Sequence, residues 1–167
     1  MKLFKTILTI LFISTILTSC GSDDSDNGSN NCGDYTDQIA QGNFKGENFT
    51  VQGGTHSVLG PKYFCRIYVS EKTGGSCGFP QFGGNEGVVI FSIPNLDANS
   101  YTLSDESGAE NTLNFNSIEN SITEIELAEC GKIEIYENNG NIVTGRVFAK
   151  GQDGSKIDGN FTLELCN

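Results

Sequence analysis

The strongest constraint on what this chain can fold into is the spacing of apolar residues over its last third. They recur at every second position between short glycine-bearing turns. Residues 132–137, 142–149 and 156–165 are separated by Asn138-Asn139-Gly140-Asn141 and Gly151-Gln152-Asp153-Gly154-Ser155. Asn-Gly and Asp-Gly pairs accept the positive φ that tight hairpins demand, so this segment reads as a three-strand antiparallel meander. Phe161, Leu163 and Leu165 share one face of the last strand and Asn160, Thr162 and Glu164 the other, the pattern of a sheet with one side in water.

The same period of two runs upstream. Tyr63, Cys65, Ile67 and Val69 alternate against Phe64, Arg66 and Tyr68, and residues 88–93 are apolar on both alternating sets until Pro94 ends them, as in a strand covered on two faces. Further short runs lie at 44–52, with a break at Gly46, and at 55–59, 100–104, 111–117 and 122–128. Residues 34–41 are the one stretch read as a short helical turn; a sustained 3.6-residue period is absent after the N-terminal leader. About ten short strands in a unit of this size predict an all-β fold. An antiparallel β-sandwich is the favoured architecture, with a small lipocalin-like β-barrel as the alternative.

The N-terminus has the parts of a secretory signal: Lys2 and Lys5, then a mostly apolar run to Leu17, then small residues before Cys20. About 20 consecutive apolar residues would be needed to span a bilayer, and this run stops short at Ser19. Leu17-Thr18-Ser19-Cys20 resembles the lipobox of bacterial lipoproteins. The resemblance implies cleavage after residue 19, lipidation of Cys20 and anchoring by acyl chains, each buried methylene contributing about 0.8 kcal/mol. Residues 21–34 carry no aliphatic or aromatic side chain, so residues 20–34 are expected to form a flexible acidic tether ahead of one all-β domain at 35–167. Ser22-Asp23-Asp24 resembles the acidic export signal of lipoproteins in Bacteroidetes-type bacteria, which implies an outer-membrane and surface-exposed location. Gly145, Phe148, Gly154, Gly159 and Phe161, running to Cys166, resemble the C-terminal pattern of small all-β lipoproteins of unknown function from the same bacteria. That likeness implies an envelope domain and carries no catalytic residue with it.

With Cys20 assigned to lipid, Cys32, Cys65, Cys77, Cys130 and Cys166 remain, and an exported chain is expected to pair most of them with one left over. Cys130 precedes the first strand of the meander and Cys166 follows the third, which runs parallel to the first, so the two should lie at opposite ends of the sheet. Six or seven residues at about 3.3 Å each put them roughly 20 Å apart, against the roughly 7 Å that a bridge tolerates. Cys166 must then pair with Cys77 or Cys32, and Cys77, in its glycine-rich loop, is preferred.

The formal net charge of −11, more negative once Lys2 and Lys5 leave, argues against nucleic acid, whose binders need basic patches. His56 is the only histidine and no Cys-x-x-Cys spacing occurs, so neither a metal site nor a cofactor is implied. Serine-hydrolase and Cys-His chemistry lack a base beside a nucleophile. Glu124, Glu126, Glu129, Glu134 and Glu137 are numerous enough for glycosidase chemistry, but Glu124 and Glu126 on one strand face opposite Ile125 and Leu127 read first as a solvated surface. The loop at residues 72–87, with Cys77, Phe79, Pro80 and Phe82 among six glycines, is the candidate binding loop, although its phenylalanines folding into their own domain is the simpler expectation. The expected function is therefore that of a non-enzymatic envelope lipoprotein, membrane-held by its lipid and binding an envelope or extracellular protein or glycan. A small-ligand carrier is the alternative, and an envelope carbohydrate hydrolase comes third.

Overall fold

The computed structural model describes residues 32–77, 80–82, 86–119 and 122–166; the expected leader, Cys20 and most of the tether lie outside the described residues. Strands β1 (Gln41–Phe44), β2 (Glu47–Thr50), β3 (Gly53–Leu59), β4 (Lys62–Tyr68), β5 (Lys72–Gly75) and β6 (Pro80–Phe82) are followed by β7 (Glu86–Ile93), β8 (Ser100–Thr102) and β9 (Thr112–Glu119). The meander then supplies β10 (Ile122–Asn138), β11 (Ile142–Gly151) and β12 (Lys156–Leu165), and no helix occurs among the described residues. In place of the helical turn read at 34–41, the chain is extended: Ala40 N–H donates to Asn160 O at 2.8 Å and Asn160 N–H to Gln38 O at 2.7 Å.

The all-β reading holds, but the favoured sandwich does not. The sheet runs β11-β10-β9-β7-β4-β3-β12 and closes where β11 pairs with β12, a barrel of seven strands. The reason lies in β12. On one side it is zipped to β11 along its length; on the other it pairs with β1 at residues 156–158 and then with β3 at Glu164↔Thr55 and Leu165↔His56. The last strand of the meander thus has no free edge to end a layer, and the twisted sheet curls onto itself. The β3–β12 ladder is the only parallel step of the circuit and is extended by Cys166 N–H donating to His56 O at 2.8 Å. Gly54 makes that step possible, since a Cβ there would lie 2.4 Å from Leu163 Cδ2 and 2.5 Å from the Arg66 carbonyl oxygen.

Side chains fill the barrel: Ile67, Phe91, Leu113, Phe115, Ile133 and Leu163 are all essentially inaccessible and belong to one cluster. Interior packing at this density is what a small barrel needs in order to be stable without a lumen. The upper end carries the β11–β12 turn, the end of β9 and the start of β10, the lower end the β3–β4 and β10–β11 turns.

Residues 122–128 and 132–137 read as two runs but form one 17-residue strand, β10. Its ladder to β11 slips between Ala128 and Cys130, so buried positions are even-numbered up to Ala128 and odd-numbered from Gly131 onward. A bulge inserts one residue and exchanges the faces of everything beyond it. The consequence inverts the expected surface: Ile125 is 62% exposed and Leu127 42%, while Glu126, expected in solvent, is 2% exposed. Its carboxylate accepts from Asp153 N–H at 2.7 Å, from Ser155 N–H at 3.1 Å and from the Ser155 hydroxyl. It thereby closes the β11–β12 turn from within.

The bridges are Cys32–Cys130, with Cα atoms 5.9 Å apart, and Cys77–Cys166, at 5.4 Å; Cys65 is free and buried. Cys32, Gly33 and Asp34, read as the end of the tether, are therefore pinned to the barrel, which moves the start of the folded unit ahead of residue 35. Arg146 completes the attachment: it pairs with Glu134 at 2.7 Å and lies 4.1 Å over the Tyr35 ring.

Replacing Glu126 with Ala should strand the buried N–H and hydroxyl of Ser155 and free the half-buried Asp153 N–H, at a cost of about 3 kcal/mol of stability, with Glu126→Gln costing about 1 because it keeps an acceptor. Urea denaturation midpoints check this, and an Ala variant as stable as the parent chain would contradict the role given to the carboxylate.

Candidate functional site at the upper end of the barrel

The β1–β2 hairpin lies across the upper end. Its turn is Lys45-Gly46, with φ of 48° and 92°, the paired positive values that let two residues reverse a twisted ribbon. Lys45 tolerates this because its surroundings hold it. Its N–H donates to Ser155 Oγ at 3.2 Å and its ammonium pairs with Glu124 at 3.1 Å, so the hairpin tip is tied to both β12's approach and the start of β10. Phe44 then stacks on Phe115 with ring centroids 6.5 Å apart. The exposed acid of β10 and its buried neighbour Glu126 both serve the closure of this end.

Among the described residues, closure is incomplete on the side of β7 and β9. A cavity of about 180 Å³ lies between the hairpin and those strands. Phe44, Phe49, Val69, Val89 and Phe115 give its apolar wall, and all five belong to the core or pack against it. Exposed Glu47 and half-buried Glu86 are the acidic residues of its lining, Asn48, Ser70, Asn116 and Ser117 the neutral polar ones, and among the described residues no lysine or arginine lines it. Gly87 allows the close approach of Val69, since a Cβ there would meet Val69 Cγ2 at 2.1 Å.

The candidate loop at 72–87 is rooted at this cavity, because Ser70 before it and Glu86 near its end both line the opening. Its described residues Phe82 and Cys77 are turned elsewhere. Phe82 sits edge-on to Tyr68 with ring centroids 5.6 Å apart, so it packs on the outer wall of β4, and Cys77 is bridged to Cys166. Pro80 opens β6, and Phe79 lies outside the described residues. Sequence reasoning missed Phe44, Phe49, Glu47 and Glu86 as neighbours; they come from segments about 40 residues apart, and periodicity along one strand carries no signal of such a meeting.

His56 and Cys65 face each other across the β3–β4 ladder, the one place where a thiol and an imidazole come together. They do not form a catalytic pair. Burial pushes the Cys65 thiol up to about 12 with Arg66 opposing, and burial pushes the His56 imidazole below its ordinary value with the Asn141 backbone opposing. Both groups are thereby held neutral. Neither nitrogen of His56, which is 2% exposed, has a hydrogen-bond partner of good geometry. Of the acids considered for glycosidase chemistry, Glu124 is engaged by Lys45, Glu126 by the turn at Ser155 and Glu134 by Arg146. Among the described residues no group of three or more His, Cys, Asp or Glu side chains is placed to hold a metal ion. The chain matches no protein-family model, no curated protein and no solved structure.

The buried imidazole fixes a pH dependence. An unfolded histidine takes its proton near pH 6.5, whereas the folded one takes it at lower pH. Below 6.5 the unfolded state therefore binds more protons, so the stability due to neutral His56 is complete above that value and is lost as pH falls toward the folded pKa. Denaturation midpoints taken from about pH 7.5 to about pH 5.5 should fall in the parent chain and stay level in His56→Leu. Parallel profiles in the two proteins would contradict this.

Proposed function

We propose that the chain is a non-enzymatic binding module of the bacterial cell envelope, held to the outer membrane by lipid on Cys20 and taking its ligand at the upper end of the barrel. The observation that carries the binding reading is the cavity beside the β1–β2 hairpin, an apolar pocket of about 180 Å³ with carboxylates in its lining, set on a rigid, filled barrel. Concave apolar sites with a few polar groups are the usual form of small-ligand sites. The lipobox-like Leu17-Thr18-Ser19-Cys20 and the acidic stretch after it support the anchored, outward-facing location.

A lipocalin-like carrier holds its ligand in the lumen, and here Phe91, Leu113 and Ile133 occupy that space. A carbohydrate hydrolase would use two carboxylates across a cleft, and Glu124, Glu126 and Glu134 of β10 are occupied in holding turns and strands together, while Glu129 and Glu137 lie on the exposed outer wall. Both readings have less support than a binding module.

Replacing Cys20 with Ser is expected to shift the protein from the membrane to the soluble fraction of bacteria that process lipoproteins. Retention of the Ser variant in washed membranes would contradict the anchoring.

A further inference from the structure

We infer that the upper-end cavity takes a small organic ammonium ion, a single apolar ring or short alkyl chain carrying one protonated amine. The inference rests on the binding-module reading and deepens it by naming the ligand class. Volume sets the size of the part that is held: a sealed cavity of about 150 Å³ holds one benzene ring, so this pocket of about 180 Å³, open to solvent on one side, has room for one ring with a short arm. The lining sets the polarity. Phe44, Phe49 and Phe115 present aromatic carbon, and aromatic faces attract cations and accept apolar bodies equally well.

Charge selects the head group. Glu47 and Glu86 both line the cavity, and among the described residues no lysine or arginine does. Lys45, next in sequence to Phe44, pairs with Glu124 at 3.1 Å, and its ammonium also lies 5.8 Å from the centroid of the Phe44 ring, so the aromatic surface left for a second cation is that of Phe49 and Phe115. An anionic ligand would meet two carboxylates on a chain of net charge −11, and a neutral one would draw nothing from them. An ammonium donates to the carboxylates while its apolar body displaces water from the phenylalanines.

The test is methyl NMR on the intact chain with both disulfides formed, titrated through the millimolar range with 2-phenylethylammonium, the neutral 2-phenylethanol and the anionic 3-phenylpropanoate. The expected result is a shift of the Val69 and Val89 methyls by the ammonium ion at an affinity roughly tenfold above that for the alcohol. That advantage should disappear in Glu47→Gln with Glu86→Gln, while the alcohol's affinity stays unchanged. Should the double variant lose its native spectrum, raising the salt concentration in the parent chain replaces it, and must weaken the ammonium ion and leave the alcohol alone. Equal affinity for the three probes, with Val69 and Val89 shifting, would overturn the ammonium assignment and leave the binding site standing. No shift at either valine with any probe would overturn the assignment and the cavity as a binding site together.

Discussion

The fold depends on one short stretch of backbone, the parallel pairing of β12 with β3. Every other step around the barrel is antiparallel, most of them with a hairpin or a long ladder behind them. The β3–β12 step has two residue pairs and the bond from Cys166 to His56, and without it the sheet is open. A ladder this short is weak by itself. It is reinforced at once by the Cys77–Cys166 bridge, whose 89-residue separation removes much of the unfolded chain's freedom, and by the close fit of Leu163 over Gly54. The buried His56, whose imidazole is held below its ordinary value by burial, sits in the same step, so acid acts on the closure itself.

Because the interior is occupied by core side chains, chemistry and recognition are left to the ends and the outer wall. The lower end and the outer wall carry exposed aliphatic residues, Val58 and Leu59 on the β3–β4 hairpin and Ile125 and Leu127 on β10. The upper end is built differently, from carboxylates and turns. Glu126 holds the β11–β12 turn from inside, Ser155 holds Lys45, and Lys45 holds Glu124. That chain of contacts fixes the β1–β2 hairpin and, with it, one wall of the cavity. A rigid wall beside an apolar floor is what a small ligand needs if ordering the site is not to offset its affinity.

Much of this was legible in the chain. The turns at Asn139-Gly140 and Asp153-Gly154, the three strands they separate and the two faces of Phe161, Leu163 and Leu165 follow from local chemistry and period alone. The meander geometry also disfavours a Cys130–Cys166 bridge and leaves Cys166 to Cys77 or Cys32, of which the structure has Cys77. What was hidden depends on contacts distant in sequence. Closure needs β12 to find β3, some 110 residues earlier, and an alternating strand looks alike in a sandwich and a barrel. The burial of Glu126 was hidden because a bulge near Cys130 reverses the faces of β10, and no residue type announces a bulge of this kind. The cavity draws on five segments and has no signature within any of them.

Closure of the barrel is the claim on which the site, the acid sensitivity and the bridge to Cys166 all depend, and it is most directly tested by NMR across the β3–β12 step. The structure predicts nuclear Overhauser contacts from Thr55 and His56 to Glu164 and Leu165, with a slowly exchanging Cys166 amide bonded to the His56 carbonyl. A Cys166 amide that exchanges at the rate of an open chain, with no contacts between β3 and β12, would show two separate layers and contradict the account.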